Sequence, residues 1–408
     1  MSSTKSVDLL IIGGGMVGAS LACALKDKPL TIAIVEAVPL HSATQPSYDD
    51  RAIALAYGSQ RIFQGIGLWP QMKPHATPIK KIHISDRGHF GITRLDHQKE
   101  GVEALGQVMA GRDIGNVLAE QLADQANVEL LTPATLSQIR YIDNGIQAEV
   151  IQNEQVVTIN AKLMVAADGG QSTVRQQLGI ESDSEAYGQT AIIANITPNR
   201  PHNGVAYERF TDSGPLALLP MSDNRCSLVW TQWQQDVDEV MGLSDEAFLA
   251  QLQSRFGYRL GRLQQVGKRT AYPLHLMRSK EQIRPRLAVI GNAAHAIHPI
   301  AGQGFNLGIR DVSALAECVS DALANEQDIG SLAILQRYAE WRHQDHSEVI
   351  RLTDGLVRLF SNSDKLLALG RNIGLTVVEK LPPLKHLLSR QAMGLRGCQQ
   401  RLNRGLPL

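Results

Sequence analysis

No stretch of the 408-residue chain reaches the roughly 18 uninterrupted apolar residues that a membrane-spanning helix needs. The opening residues Met1–Val7 are short and polar, and Asp8–Ile12 runs straight into glycines, so no signal peptide is expected. Cysteine is scarce. Cys23, Cys226, Cys318 and Cys398 lie far apart with no CxxC, and free thiols in a reducing, cytoplasmic setting are expected. The 12 histidines form no HExxH or similar ligand set, so no metal site is expected. Neither a catalytic triad, an internal repeat nor a low-complexity tract is present. Formal net charge is +0, which leaves no global field to draw the chain to nucleic acid.

The chain does have length and apolar content. At 408 residues and 43% hydrophobic it can build two cores, or one large α/β core with an inserted lobe. Val7–Ile12 reads as a buried strand, Met16–Leu25 as a helix and Leu30–Val35 as a second strand, which is a βαβ unit opening a parallel sheet. Ala161–Ala167 and Leu287–Ile290 are further buried strands that stop at polar or glycine corners. Ligands of open α/β sheets bind beyond such carboxyl ends. The middle differs: Ala191–Thr197, Val205–Phe210, Leu216–Leu219 and Cys226–Gln232 are short, β-rich and separated by turn residues, which predicts an antiparallel lobe. From Val312–Ala324 and through Leu332–Asp354 the apolar spacing is helical.

Three motifs stand at the strand ends. Gly13-Gly14-Gly15-Met16-Val17-Gly18 follows a strand and opens a helix, and Glu36 ends the next strand. Gly13, Gly15 and Gly18 permit a tight turn and close approach of backbone N–H groups to a pyrophosphate, to which the helix dipole adds positive charge. Glu36 suits ribose hydroxyls and would repel a 2′-phosphate, so FAD or NAD is favoured over NADP. The second motif, Ala167-Asp168-Gly169-Gly170-Gln171-Ser172-Thr173-Val174-Arg175, taken alone reads as a capped helix with a surface arginine. In the third, Val289-Ile290-Gly291-Asn292 delivers Asn292 to the crevice, Pro299 stiffens the approach, and Gly302-Gln303-Gly304-Phe305-Asn306 opens a helix. Amides at that helix start can stabilise negative charge on a reduced ring. It does not directly follow a strand, so it is not a second dinucleotide fingerprint. His298 lies nearby and suits a structural or a proton-transfer role. Trp230-Thr231-Gln232-Trp233 lacks the Trp-x-Trp-x-Ile-Pro spacing and reads as strand packing.

In order and spacing, these three motifs resemble the fingerprints of the FAD-dependent aromatic monooxygenases related to para-hydroxybenzoate hydroxylase. Asp50–Ala56, Ser85–His89, Leu105–Val108 and Gly214–Asp223 are similar to the ubiquinone-biosynthesis branch, and the likeness spans roughly Val7 to Leu375. Asn292 departs from the family's aspartate but can still accept a hydrogen bond, and it marks the methoxyphenol-hydroxylase branch.

The resemblance implies an α/β fold: a Rossmann-type FAD-binding domain with an antiparallel β-rich substrate lobe and C-terminal helices. The expected division is 1–185 and 276–330 for FAD, 186–275 for the lobe and 331–408 for a helical region with a basic tail. Gly13, Gly15, Gly18, Glu36, Arg51, Gln107, Asp168, Asn292, Gly302, Gln303, Gly304 and Asn306 are expected at the cofactor, with Pro299, Gly302 and Gly304 around the flavin ring. No side-chain acid or base is assigned. NAD(P)H is the implied transient donor and O2 the co-substrate, acting through a C4a-hydroperoxyflavin on a polyprenylated methoxyphenol. Leu216, Leu218 and Leu219 are expected to roof the substrate pocket. A charged benzoate would need an arginine, and the lobe offers Arg209 and Arg225, whose direction alternation does not settle. A tail of Lys385, Arg390, Arg396, Arg401 and Arg404 interleaved with apolar residues suits a membrane surface, placing the chain peripherally at the inner membrane, and equally a solvated terminal helix or a protein contact in a biosynthetic complex. An FAD-dependent isoprenoid reductase and a non-catalytic FAD-bearing scaffold share the same motifs.

Overall fold

The computed structural model describes residues 3–40, 42, 45, 51–296, 302–360, 365–396 and 400–408. Pro299, His298 and Cys398 therefore lie outside the described residues. Cys23, Cys226 and Cys318 are buried free thiols.

The first sheet runs Ile283–Arg284, Leu287–Val289, Gln155–Ala166, Ser3–Ile12, Ile32–Val35, Val128–Leu131. Its central strands are parallel, and their carboxyl halves Leu9–Ile12, Ile32–Val35 and Leu163–Ala166 are wholly apolar, because helices cover one face and the hairpin strands of residues 134–152 pack on the other. The register aligns their carboxyl ends: Ile12 sits opposite both Val35 and Ala166, and Ala166 opposite Val289. The residues that follow, Gly13, Glu36, Ala167-Asp168 and Ile290-Gly291, therefore emerge along one edge. A hairpin of Ala134–Ile142 and Gly145–Gln152 extends this sheet antiparallel to Gln155–Ala166.

The second sheet runs His295–Ala296, Thr270–Ser279, Ser182–Pro198, Cys226–Trp233, Gly214–Pro220, Val205–Thr211, Lys81–Asp86, Ile92–Asp96. It departs from the expected antiparallel lobe in two ways. Val205–Thr211 pairs parallel with Lys81–Asp86, a strand from far earlier in the chain. The strand expected at Ala191–Thr197 spans Ser182–Pro198; its first residues are polar and exposed, so no apolar alternation marks them. One face of this sheet packs Ile192, Leu216, Leu218, Leu228 and Trp230 against Phe248, Leu252 and Phe256 of helix Asp245–Phe256. Trp230 is thus a core residue, as strand packing predicts. A small third sheet of Ala52–Ala56, Gly106–Ala110 and Thr77–Ile79 closes the side.

Helix Gln303–Ala324 is buried almost all round between helix Met16–Ala24 and helix Leu332–Phe360. Of the expected basic tail, Arg390, Arg396 and Arg404 are exposed, while the other two cations are engaged. Lys385 pairs with Glu379, His386 with Glu100, and Arg401 with Glu317 and Asp321. Leu402 is buried against helix Tyr57–Ile66. Also facing solvent is an apolar stripe of Ile373, Val377, Leu381, Leu384 and Leu387 on helices Lys365–Lys380 and Pro382–Ala392 and the residue between them, flanked by exposed Lys380 and Arg390. Among the described residues, no helix is long and apolar enough to cross a membrane.

Candidate active site

One cavity of about 790 Å3 runs from the aligned strand ends to the inner face of the second sheet. At one end, Gly13 leaves Ser3–Ile12 with φ +104°, and a Cβ there would stand 2.4 Å from the Ala167 carbonyl oxygen. Gly18 lets helix Met16–Ala24 close on that turn, since a Cβ would meet the Gly13 oxygen at 2.0 Å. Gly15 caps the helix with no side-chain hydrogen bond, and no acid lies in the first turn. The helix N-terminus thus offers open N–H donors to an anion.

Glu36 lines this end, but its carboxylate is not idle: Oε2 accepts from Gly14 N–H at 2.7 Å and Oε1 from Val38 N–H at 2.9 Å. It therefore braces the glycine loop as well as presenting charge to a ligand. Asp168 also lines the cavity. One of its oxygens accepts from Val174 N–H at 3.1 Å, while buried Oδ1 has no partner. Burial raises its pKa, against the lowering effect of bonds from Ser172 and neighbouring amides. Ser172 caps the short helix Thr173–Gln177, and Arg175 turns inward onto the Gly170 carbonyl instead of reaching solvent. An orphaned buried acceptor, an uncapped helix start and a glycine cradle on one edge fit the adenosine–pyrophosphate part of FAD.

Midway along, Arg51, Ala52, Ile53 and Ala54 face Asn292, Gly302, Gly304 and Phe305 across the cavity. Gly302 is left-handed at φ +62°, and a Cβ there would lie 2.9 Å from that of Ala54. It caps helix Gln303–Ala324 without a side-chain bond. Arg51 lies 5.0 Å over the Tyr272 ring. The far end is formed by Ala191, Ile193, Ala217, Leu219 and Val229, together with Glu208. Alternation places Leu216 and Leu218, expected at the pocket, on the opposite face in the core; Ala217 and Leu219 take that place. Neither lobe arginine enters. Arg209 donates to the Phe256 carbonyl on the core face, and Arg225 sits at the exposed turn beside Asp223.

Of the remaining expected cofactor residues, Gln107 lies outside the lining and donates to Gln60. Asn306 also stands behind the wall. Its Oδ1 accepts from Ala56 N–H, and its Nδ2 donates to the carbonyls of Ala54 and Gly302, which staples the helix start to strand Ala52–Ala56. Gln303 is buried outside the lining as well.

Asp311 was not a candidate in the sequence. Fully buried on helix Gln303–Ala324, it accepts from Gly291 N–H at 3.0 Å, His295 Nε2 at 2.9 Å, Arg342 Nε at 2.7 Å and His346 Nε2 at 2.7 Å. Burial pushes its carboxyl up, but His346, Arg342 and His295 outweigh that and hold it well below the usual range. His346 is pushed down to about 4, by burial first. Arg342 and Arg310 both reach Asp345. His295, Asp311 and His346 have the spacing of a metal-ligand set, but the Arg342 guanidinium already neutralises that carboxylate. The hub fixes the Gly291–His295 turn that presents Asn292. Its signal in sequence is an Arg-Asp pair, Arg310-Asp311, inside an otherwise apolar helix.

Fold and site define an FAD-binding α/β protein whose cofactor groove opens into an apolar pocket under a second sheet. The chain matches the FAD binding domain family over residues 6–353. It is 38% identical to the ubiquinone hydroxylase UbiL of Rhodospirillum rubrum, covering 100% of this chain and 95% of that protein. It is 30% identical to the human mitochondrial ubiquinone biosynthesis monooxygenase COQ6, covering 94% and 92%. Among solved structures, p-nitrophenol 4-monooxygenase PnpA from Pseudomonas putida DLL-E4 superposes with TM-score 0.80 at 20% identity, covering 97% of this chain and all of that one, which shows the shared fold. The chain belongs to the FAD-dependent hydroxylases of ubiquinone biosynthesis.

Proposed function

We propose that this protein hydroxylates a polyprenylated methoxyphenol, with NAD(P)H as transient electron donor and O2 as co-substrate. The observation that carries the reading is the single cavity joining the glycine loop and Asp168 to an apolar sheet face with no lobe arginine in it. The sheet face offers a benzoate no cation of its own, Arg51 standing on another wall over the Tyr272 ring, whereas a prenyl chain gains roughly 25 cal/mol per Å2 buried. The names of UbiL and COQ6 support a substrate of this class.

When bound, FAD would supply electron transfer and activation of dioxygen. The chain's own residues hold and orient. Gly13, Gly15 and the helix start at Met16 would receive the pyrophosphate, Glu36 a ribose, and Asp168 a donor from the cofactor. Asn292, Gly302 and Gly304 would border the ring, where the uncapped start of helix Gln303–Ala324 favours negative charge. Asn306 and Asp311 act behind the wall as positioning residues. The second sheet, Ala191 through Val229, would cover the substrate ring and exclude water.

The exposed stripe Ile373–Leu387, with Lys380 and Arg390 beside it, would rest on the bilayer surface where such a substrate resides. The stripe supports a peripheral location at the inner membrane.

The test is a side-by-side assay in lipid, with labelled oxygen, of a 2-polyprenyl-6-methoxyphenol and para-hydroxybenzoate. Label should enter the prenylated phenol. Coupled hydroxylation of the benzoate alone would overturn the substrate class, and reduction of the prenyl chain without label would overturn the reaction.

A further inference from the structure

The pocket face of the second sheet carries one acid among apolar neighbours. Glu208 stands opposite Ala217, Ala217 opposite Val229, and Val229 opposite Ile193, and all four line the cavity. Four adjacent strands therefore present a single row that is carboxylate at one end and hydrocarbon along the rest. Strand alternation aims Glu208 inward while its neighbours point away: Tyr207 packs edge-on against Phe256, and Arg209 bonds the Phe256 carbonyl.

The charged groups around it are engaged elsewhere. On the paired strand Lys81–Asp86, Ile84 pairs with Glu208, His83 packs tilted against Tyr207 on the other side, and Asp86 is held by Arg371 and Asn372 of helix Lys365–Lys380. Strands Gly214–Pro220 and Cys226–Trp233 add no acid or base to the row. Helix Leu332–Phe360 also packs on Gly214–Pro220, and its buried charges Arg342, Asp345 and His346 bind one another and Asp311. Tyr272, which pairs with Ala191 beside the row, lines the same cavity, and Arg51 from the segment before Ala52–Ala56 lies above its ring. Among the described residues Glu208 has no hydrogen-bond or ion-pair partner, and burial alone pushes its pKa up to about 7. Glu208 is half-buried, lines the cavity and has no described protein group to pair with, so its carboxylate is open to a ligand that enters.

We propose that Glu208 is a catalytic residue: its carboxylate accepts the hydrogen bond of the substrate's ring hydroxyl and takes that proton as the ring is oxidised. The assignment rests on the phenol reading above. The phenolic O–H bond breaks, the proton passes to a Glu208 oxygen, and the electron pair stays on the phenol oxygen, enriching the ring carbons ortho and para to it. O2 is reduced to the peroxide level by NAD(P)H through FAD; as its O–O bond breaks, one oxygen forms the new C–O bond at one of these carbons as a hydroxyl, and the other departs at the hydroxide level, takes up the ring proton and leaves as water. The proton on that carbon leaves, its electron pair restores aromaticity, and Glu208 returns its proton to the first oxygen. The same carboxylate, when ionised, repels an anionic benzoate, so it selects for a donor hydroxyl as well as activating it. A group whose pKa lies near working pH suits this exchange in both directions.

The test uses FAD-loaded wild type and Glu208→Gln, which keeps the shape and cannot take a proton. Binding is measured without turnover for a short-chain 2-prenyl-6-methoxyphenol and for its O-methyl ether. Turnover is measured against pH for that phenol and for a ring-fluorinated analogue already ionised in the assay. Glu208→Gln should retain FAD, lose on the order of 100-fold in kcat on the phenol, and lose the fall in wild-type kcat/KM as pH drops through about 7. The ionised analogue should restore the variant to within about tenfold of wild type. O-methylation should weaken binding to wild type more than to the variant. An unchanged acid limb in the variant, or equal loss on both phenols, would overturn the assignment and leave the phenol reading standing. Failure of wild type to hydroxylate the phenol would overturn that reading and this assignment with it.

Discussion

The same carboxylate makes a prediction about stability that needs no substrate. Glu208 rises from an ordinary 4.5 to about 7 through burial alone. At about 1.36 kcal/mol per pH unit, that rise sets a ceiling of ~3.4 kcal/mol on its cost when ionised. The sign follows from proton counts. Below 4.5 both states hold the proton and nothing is lost. Between there and 7 the unfolded chain ionises while the folded one stays protonated, so stability falls as pH rises, and above 7 the full cost is present. From about pH 5.5 to about pH 8.5, the wild type should therefore lose ~2 kcal/mol relative to Glu208→Gln, which does not titrate. Thermal melts of both proteins, FAD-loaded and substrate-free, at several pH values read this directly. The variant should gain on wild type as pH rises and melt above it at the alkaline end. A difference in melting temperature that stays constant with pH would show that Glu208 finds a cationic partner or water in solution, and the reasoning from an unpaired buried acid would fail.

Gly302→Val should abolish hydroxylation more severely than it lowers FAD content, since a β-branched residue at φ +62° beside Ala54 would displace the ring-side helix start while the adenosine end is held elsewhere; normal product formation would contradict this. Glu36→Ala should weaken FAD by at least about tenfold, from loss of a charge-assisted contact worth roughly 1.5–3 kcal/mol and of the Gly14 brace; FAD titration of the stripped protein checks it, and an unchanged Kd removes Glu36 from the ribose. Asp311→Asn should destabilise the chain by roughly 1.5–3 kcal/mol, because Arg342 would keep only the Asp345 carboxylate and the charge-assisted bonds to Asp311 would be lost; a denaturation midpoint near that of wild type would show the hub to be dispensable. Replacing Val377 and Leu381 with Ser should reduce flotation with anionic liposomes and leave FAD content unchanged, and equal flotation would rule out the stripe as the bilayer contact.

Where the chemistry lies in backbone geometry, the sequence was legible. Gly13, Gly15 and Gly18 between an apolar run and a helix admit few structures, and register then brings Glu36, Asp168 and Gly291 to one edge. Residue roles that depend on which way a side chain turns were not legible. Gln107 and Asn306 sit in motif segments yet bond Gln60 and the Ala54 and Gly302 carbonyls behind the wall. Leu216 and Leu218 looked like pocket residues because every position of Leu216–Leu219 is apolar, so alternation carried no contrast. Glu208 is the reverse case: one acid in a strand of mixed residues is an ordinary surface pattern until Ala217, Val229 and Ile193 fall into line beside it. The pairing of Lys385 and Arg401 was not legible for a different reason, since the acids that meet them, Glu317, Asp321 and Glu379, lie outside the basic segment itself.

The parallel pairing of Val205–Thr211 with Lys81–Asp86 bears on how the lobe can be handled as a part. A ribosome releases residues 81–96 long before the strands they flank exist, so the sheet waits for chain made about a hundred residues later, and the final strand His295–Ala296 comes later still. Non-local closure of this kind slows folding. It also means that 186–275 is not a cassette. Cut out, it would bare the edge of Val205–Thr211, and a bare edge recruits other strands. A chimaera that exchanges the pocket between hydroxylases must therefore carry 81–96 with it, because the strand that holds Glu208 is built on both.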